Sequence, residues 1–176
     1  EDVRILANLR PNERWTGTLL HEMGHAVYDK YIDKSLPIIL RTPAHIFTTE
    51  AVAMFFERLV RKPSWYQKIL KSDSKFVDRY GDELNKSLRD QLIISARWMI
   101  TFVFFEKMLY ESEENINNLW YDFVSQNQLL NIPEERRNKY DWAAKIHFGT
   151  NPVYYQNYLL GEMMASQLNF YIKDNI

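Results

Sequence analysis

The sequence predicts a mainly α protein. Glycine and proline are scarce, at 5 and 6 in 176 residues, and the apolar residues between them recur with helical rather than alternating period. A first helix is expected from Asn12 or Thr16 through Tyr31, carrying Leu19, Leu20, Ala26 and Val27. Pro37 ends it, and the segment 36–47, with Pro37 and Pro43, is the one place for β structure, a short strand through Ile38 to Leu40. A second helix is expected to start with Thr48 or Thr49 as N-cap, to run through Ala51, Phe55 and Val60, and to stop at Pro63. Next come a short helix around Trp65 to Leu70, a turn near Gly81, and a long helix over 82–111. Leu84, Leu88, Ile94, Met99, Phe102 and Met108 lie on it at core spacing. A helix over Ile116 to Gln126 follows, Pro133 opens a helical approach to His147, and the last helix follows Pro152 to about Ile172.

The length suits one domain spanning 1–176, and the 46% hydrophobic content suffices for a sizeable core. Lys and Arg number 22 against 23 Asp and Glu, so no global field recruits nucleic acid or an anionic membrane. The most apolar run, Leu92 to Phe105, is interrupted by Arg97 and is too short for a membrane span. No signal peptide is read at the start, and entry into helical sequence soon after Glu1, without a methionine, suggests a piece of a longer chain. With no cysteine, disulfides and thiolate metal sites are excluded, and a metal would need His, Asp or Glu. A reducing compartment fits this composition, and a cytoplasmic location is the expectation.

The chemistry concentrates in His21-Glu22-Met23-Gly24-His25. His-Glu-x-x-His on a helix puts both imidazoles on one face, at i and i+4, within reach of one ion. Glu22 lies beside that face, placed to accept a proton from an attacking water without itself being a ligand. The ordinary alternative is a pair of partly buried helix histidines satisfied by hydrogen bonds. A catalytic zinc site of this kind takes three protein ligands and leaves a fourth position open, so one more ligand must come from elsewhere. Glu50, 25 residues after His25 and near the start of the second helix, is the candidate, and His45 in the preceding loop is the rival. Glu50 also has a bland reading, an acid favoured in a first turn by the helix dipole.

The run Leu19 to Ala26, then Thr49-Glu50-Ala51, then Lys145-Ile146-His147 and Tyr155-Gln156-Asn157-Tyr158, resembles the angiotensin-converting-enzyme family of zinc peptidases. It is also similar to the thimet oligopeptidase and oligopeptidase F family, through Tyr154-Tyr155 and Tyr158-Leu159. The resemblance spans the chain in ordered blocks and implies a helical zincin-type catalytic domain of the gluzincin kind, a mostly helical shell around a deep cleft. It implies zinc on His21, His25 and Glu50, with Glu22 as general base. It further implies His147 and Tyr158 as oxyanion donors, and Lys145 with Tyr155, or Tyr154, as the binders of a substrate's carboxyl terminus.

Three departures accompany it. One residue must be inserted between His147 and the tyrosines, which leaves the choice among Tyr154, Tyr155 and Tyr158 open. Asn157 stands where the converting enzymes carry an arginine linked to chloride, so chloride dependence through that position is not expected. Met54 stands where they place an aspartate that orients a histidine, and Glu57 or Asp29 would have to replace it. The expected function is hydrolysis of oligopeptides, of the peptidyl-dipeptidase or oligopeptidase type. The alternative is a noncatalytic helical peptide-binding module, or an inactive fragment, that retains the metal motif.

Overall fold

The computed structural model describes residues 2–112 and 115–176. It is mainly α-helical, and among the described residues there is no strand. Among the described residues seven α-helices follow in chain order: α1 Glu13–Lys30, α2 Ile46–Glu57, α3 Pro63–Lys68, α4 Ser74–Glu111, α5 Ile116–Gln128, α6 Ile146–Thr150 and α7 Gln156–Asn175. Among the described residues, none is long and apolar enough to cross a membrane.

The chain divides into two compact units, one of residues 1–90 and 160–176, the other of residues 91–159. In the first, α1 opens with Asn12 as N-cap, its side chain accepting the Trp15 N–H at 3.0 Å, with Glu13 in the first turn and Lys30 in the last, as the helix dipole favours. Its partner α2 starts earlier than Thr48 or Thr49. His45 is the N-cap, its ring nitrogen accepting the Phe47 N–H at 3.2 Å, and the two threonines lie inside the helix. A histidine with a free ring nitrogen did the work that composition assigned to a hydroxyl. The expected strand at Ile38 to Leu40 is instead a 3-10 turn, closed by the Leu40 N–H on Pro37 O. After α2 the chain tightens into a 3-10 turn, Arg58–Arg61, and Pro63 sits at the start of α3, where its missing N–H costs nothing.

The turn expected near Gly81 is absent, because α4 runs unbroken through it from Ser74. A single glycine costs a helix only about 1 kcal/mol, and a 38-residue helix with apolar faces absorbs that. Gly81 lies against Pro63, whose Cγ would stand 3.6 Å from an added Cβ. Met99 and Phe102 on α4 are buried, but Ile94 is 68% exposed and not core.

The second unit is built on an aromatic core. Phe102, Phe105, Trp120, Tyr121 and Val124 are buried together, with Trp98, Trp142, Phe148 and Tyr155 packed against them. Phe102 stacks on Phe148 and on Tyr155, with ring centroids 5.0 and 3.8 Å away, and meets Trp120 edge-on. Rings in these offset and T-shaped arrangements add about 0.5–1.5 kcal/mol per pair beyond the area they bury. The approach to His147 is made of 3-10 turns, Glu134–Arg136 and Asp141–Ala144, with α6 beginning just before it.

Candidate metal centre

The centre lies on α1 and α2, and the contact between them explains its geometry. His21, His25 and Tyr28 fall at i, i+4 and i+7, on one face of α1. His21 Nδ1 meets Glu57 Oε2 at 3.1 Å, His25 Nδ1 meets Thr49 Oγ1 at 2.8 Å, and Tyr28 OH meets Thr48 Oγ1 at 3.2 Å. The partners descend along α2 as the α1 residues ascend, so the two helices run antiparallel. They press together at Gly24, where an added Cβ would lie 2.5 Å from Ala53 Cα and 3.0 Å from Val52 O. Only a residue without a side chain fits there, between the two histidines of the motif.

With both Nδ1 atoms engaged, both Nε2 atoms point at Glu50. His21 Nε2 and His25 Nε2 are 3.2 Å apart, and Glu50 Oε2 lies 3.4 Å from the first and 3.7 Å from the second. These are three donors that a cation could share. Glu50 is 2% exposed and lies in the body of α2 among Ala51, Ala53 and Met54. Gly161 of α7 covers it, its missing Cβ leaving room that an alanine would fill to 3.1 Å from Glu50 Cβ. His45, the rival ligand, is outside the group and occupied as the α2 cap.

Neighbouring side chains surround the centre. Burial desolvates the His21 imidazolium and pulls its pKa down, but the hydrogen bonds and charges of Glu50 and Glu57 outweigh this and raise it to about 10. Glu57, seven residues after Glu50 and so one turn beyond Met54, is the carboxylate that orients His21; Asp29 is exposed. Glu22 is half-buried, next to His21 in the chain. Sequence reasoning did not find Thr49 as the partner of His25, nor Glu162. The Glu162 carboxyl is pushed up by burial, against the pull of Arg58, which binds both its carboxylate and its backbone carbonyl. Arg58 and Glu162 are 104 residues apart, and no local pattern announces such a pair.

The remaining expected residues lie in the second unit and form a cluster of their own. His147 Nε2 is 3.3 Å from Tyr158 OH, and the His147 ring lies beside those of Tyr154, Tyr155 and Tyr158. Lys145 Nζ stands 4.8 Å over the ring of Trp98, a cation–π contact. Burial raises the Tyr155 pKa, while a hydrogen bond with Trp98 pulls the other way. Trp98 therefore links Lys145 and Tyr155, a role its place in an apolar run concealed. Val153, just before the tyrosines, has φ of 57°, a left-handed conformation that costs a β-branched residue about 1–3 kcal/mol. Asn157 is buried.

The chain matches no family model, no curated protein and no solved structure.

Proposed function

We propose that this chain is the catalytic portion of a zinc-dependent peptidase acting on oligopeptides, as its resemblance to the converting-enzyme and oligopeptidase families implies. One observation carries the reading: the 3.2, 3.4 and 3.7 Å triangle of His21 Nε2, His25 Nε2 and Glu50 Oε2. Donors arranged tetrahedrally about zinc at about 2.0–2.1 Å stand about 3.3–3.4 Å from one another. The triangle is within a few tenths of an ångström of that figure. Two imidazoles and a carboxylate, with both imidazoles steered from behind through Nδ1, are a donor set that zinc accepts. The raised pKa of His21 has the same origin, since the carboxylates that favour a proton there favour a cation.

Zinc bound there would act as a Lewis acid, polarising the scissile carbonyl and making an attacking water acidic at neutral pH. Glu22 then takes the water's proton and delivers it to the leaving amine, so that the amine departs neutral. Glu57 and Thr49 hold the two imidazoles in one orientation, so that donor positions do not have to be found anew at each turnover. By the resemblance, Tyr158 and His147 donate hydrogen bonds to the developing oxyanion, and Lys145 with Tyr155 binds a substrate's terminal carboxylate.

The test is metal analysis and peptide cleavage by the full-length protein and its Glu22→Gln variant. The expectation is about one zinc per chain in both, with hydrolysis only in the parent. Iron in place of zinc would move the site toward the oxygen-using two-histidine, one-carboxylate centres and sink the peptidase reading. Parental hydrolysis by Glu22→Gln would remove the general base.

A further inference from the structure

We propose that Glu106 is a positioning residue: its buried carboxylate holds Val153 in the left-handed conformation and so sets Tyr154, Tyr155 and Tyr158 against His147. The catalytic part of this inference rests on the peptidase reading above. Nothing about valine favours φ of 57°; with two heavy atoms on Cβ it is among the residues least suited to that region, where glycine or asparagine is usual. Val153 is 61% exposed, so its own packing does not impose the conformation. The force must act on the backbone.

Glu106 supplies it. Its Oε1 accepts the Val153 N–H at 2.8 Å and the Tyr110 hydroxyl at 3.0 Å. The residue is only 5% exposed, and a buried carboxylate is stable only when its acceptors are filled. Losing the Val153 N–H would leave that oxygen with the Tyr110 hydroxyl as its one remaining donor of the two, which opposes relaxation of the turn. One helical turn before Glu106 on α4, Phe102 stacks on Tyr155 with centroids 3.8 Å apart. Thus α4 grips the chain at two points, backbone at 153 and ring at 155.

Helix α7 then begins from this fixed segment. Asn157 N–H donates to Tyr154 O at 2.9 Å and Tyr158 N–H to Tyr155 O at 3.2 Å. The direction of 153–155 therefore decides where the Tyr158 hydroxyl arrives relative to His147 Nε2, now 3.3 Å away. A small rotation at Val153 would separate them, and the tyrosine rings would turn with it. Strain kept beside reactive groups and held from elsewhere is a recurring way of fixing geometry.

The test uses zinc-loaded full-length protein and five variants: Glu106→Ala, Glu106→Gln, Val153→Gly, Val153→Ala and the double variant Glu106→Ala/Val153→Gly. Glu106→Ala should lower kcat about tenfold with zinc content nearly unchanged, because the oxyanion donors are displaced, and KM should rise only for peptides with a free C-terminus, through Tyr155. Glu106→Gln, which keeps an acceptor oxygen, should retain most of kcat. Glycine adopts the left-handed turn unaided, so the double variant should recover most of the loss. Failure of Val153→Gly to restore kcat, or a loss confined to KM, overturns the positioning role.

Two measurements do not depend on turnover. At an exposed position with negative φ, Gly is less stable than Ala; here Val153→Gly should melt higher than Val153→Ala, and the reverse order overturns the strained turn. Hydrogen exchange at the Val153 amide should be slow in the parent and in Glu106→Gln, which keeps the acceptor, and fast in Glu106→Ala. Equal exchange in the parent and Glu106→Ala overturns the grip. A parent protein that cleaves no peptide, yet passes both of these, would sink the peptidase reading and leave Glu106 as the residue that fixes the tyrosine block.

Discussion

Gly24→Ala tests whether the helix contact, rather than the motif alone, makes the metal site. The new Cβ would stand 2.5 Å from Ala53 Cα and 3.0 Å from Val52 O, both backbone atoms that cannot rotate away. Ordinary van der Waals contact begins near 3.4 Å, so α1 and α2 must part locally by about 1 Å, at an overpacking cost of about 1–3 kcal/mol. The two ligand edges that cross between the helices, 3.4 and 3.7 Å, would widen in proportion, toward about 4.5 Å and past what one zinc ion spans. Zinc affinity should fall at least tenfold to a hundredfold, the range seen when ligand-orienting residues are lost. The assay is competition for zinc against a chromophoric chelator, alongside thermal melts with and without excess chelator. In chelator the variant should lose only the packing cost, and in zinc it should lose more. The control is Gly149→Ala, whose added Cβ meets nothing within 4 Å and which should leave both readouts unchanged. Parental zinc affinity in Gly24→Ala would refute the reasoning.

Glu57→Gln should weaken zinc binding by about tenfold to a hundredfold without abolishing it, because an orienting partner and not a ligand is changed; loss as complete as that of His21→Ala would make Glu57 a ligand. In the metal-free protein the His21 pKa lies near 10, above the unfolded value of 6.5, so its contribution to stability is full below pH 6.5 and disappears as pH rises through 10. Urea midpoints in chelator should therefore fall over that window, and those of a His21→Gln variant should fall less. Zinc must displace the same proton, so its apparent affinity should rise about tenfold per pH unit below 10, as chelator competition would reveal. Tyr158→Phe should lower kcat by about two orders of magnitude with KM nearly constant. Lys145→Ala should raise KM for peptides with a free C-terminus and spare amidated ones; equal effects on both would exclude a terminal-carboxylate anchor at Lys145.

The features legible in the sequence are those written in local period. The i, i+4 spacing of His21 and His25 brings both rings to one face, and the helix start expected at Asn12 or Thr16 falls at Glu13, behind Asn12 as N-cap. Glu57 stood out as a possible orienting group because it lies on the Glu50 side of α2. What stayed hidden depends on partners distant in sequence. Thr49 looked like a cap until His25 claimed its hydroxyl, and His45, an apparent loop residue, is the true cap. Gly24 gives no sign in its neighbours that α2 will press against it. Gly81 does not make a turn, since one glycine does not outweigh the helical sequence on either side. Glu106 sits in an apolar stretch as an isolated acid, and its use becomes visible only when Val153, 47 residues on, is brought to it.

The aromatic core of the second unit also determines what light reports about this protein. Three of the five tryptophans, Trp98, Trp120 and Trp142, belong to that core, while Trp15 and Trp65 lie in α1 and α3. Tryptophan emission and the near-ultraviolet dichroism of the stacked rings will therefore follow the second unit chiefly. Ellipticity at 222 nm weighs every helix, α1 and α2 included. A melt followed at both wavelengths asks whether the histidine-bearing helices and the ring core come apart in one transition or two. Coincident curves would license a single folding free energy for the chain, and displaced ones would require one for each unit.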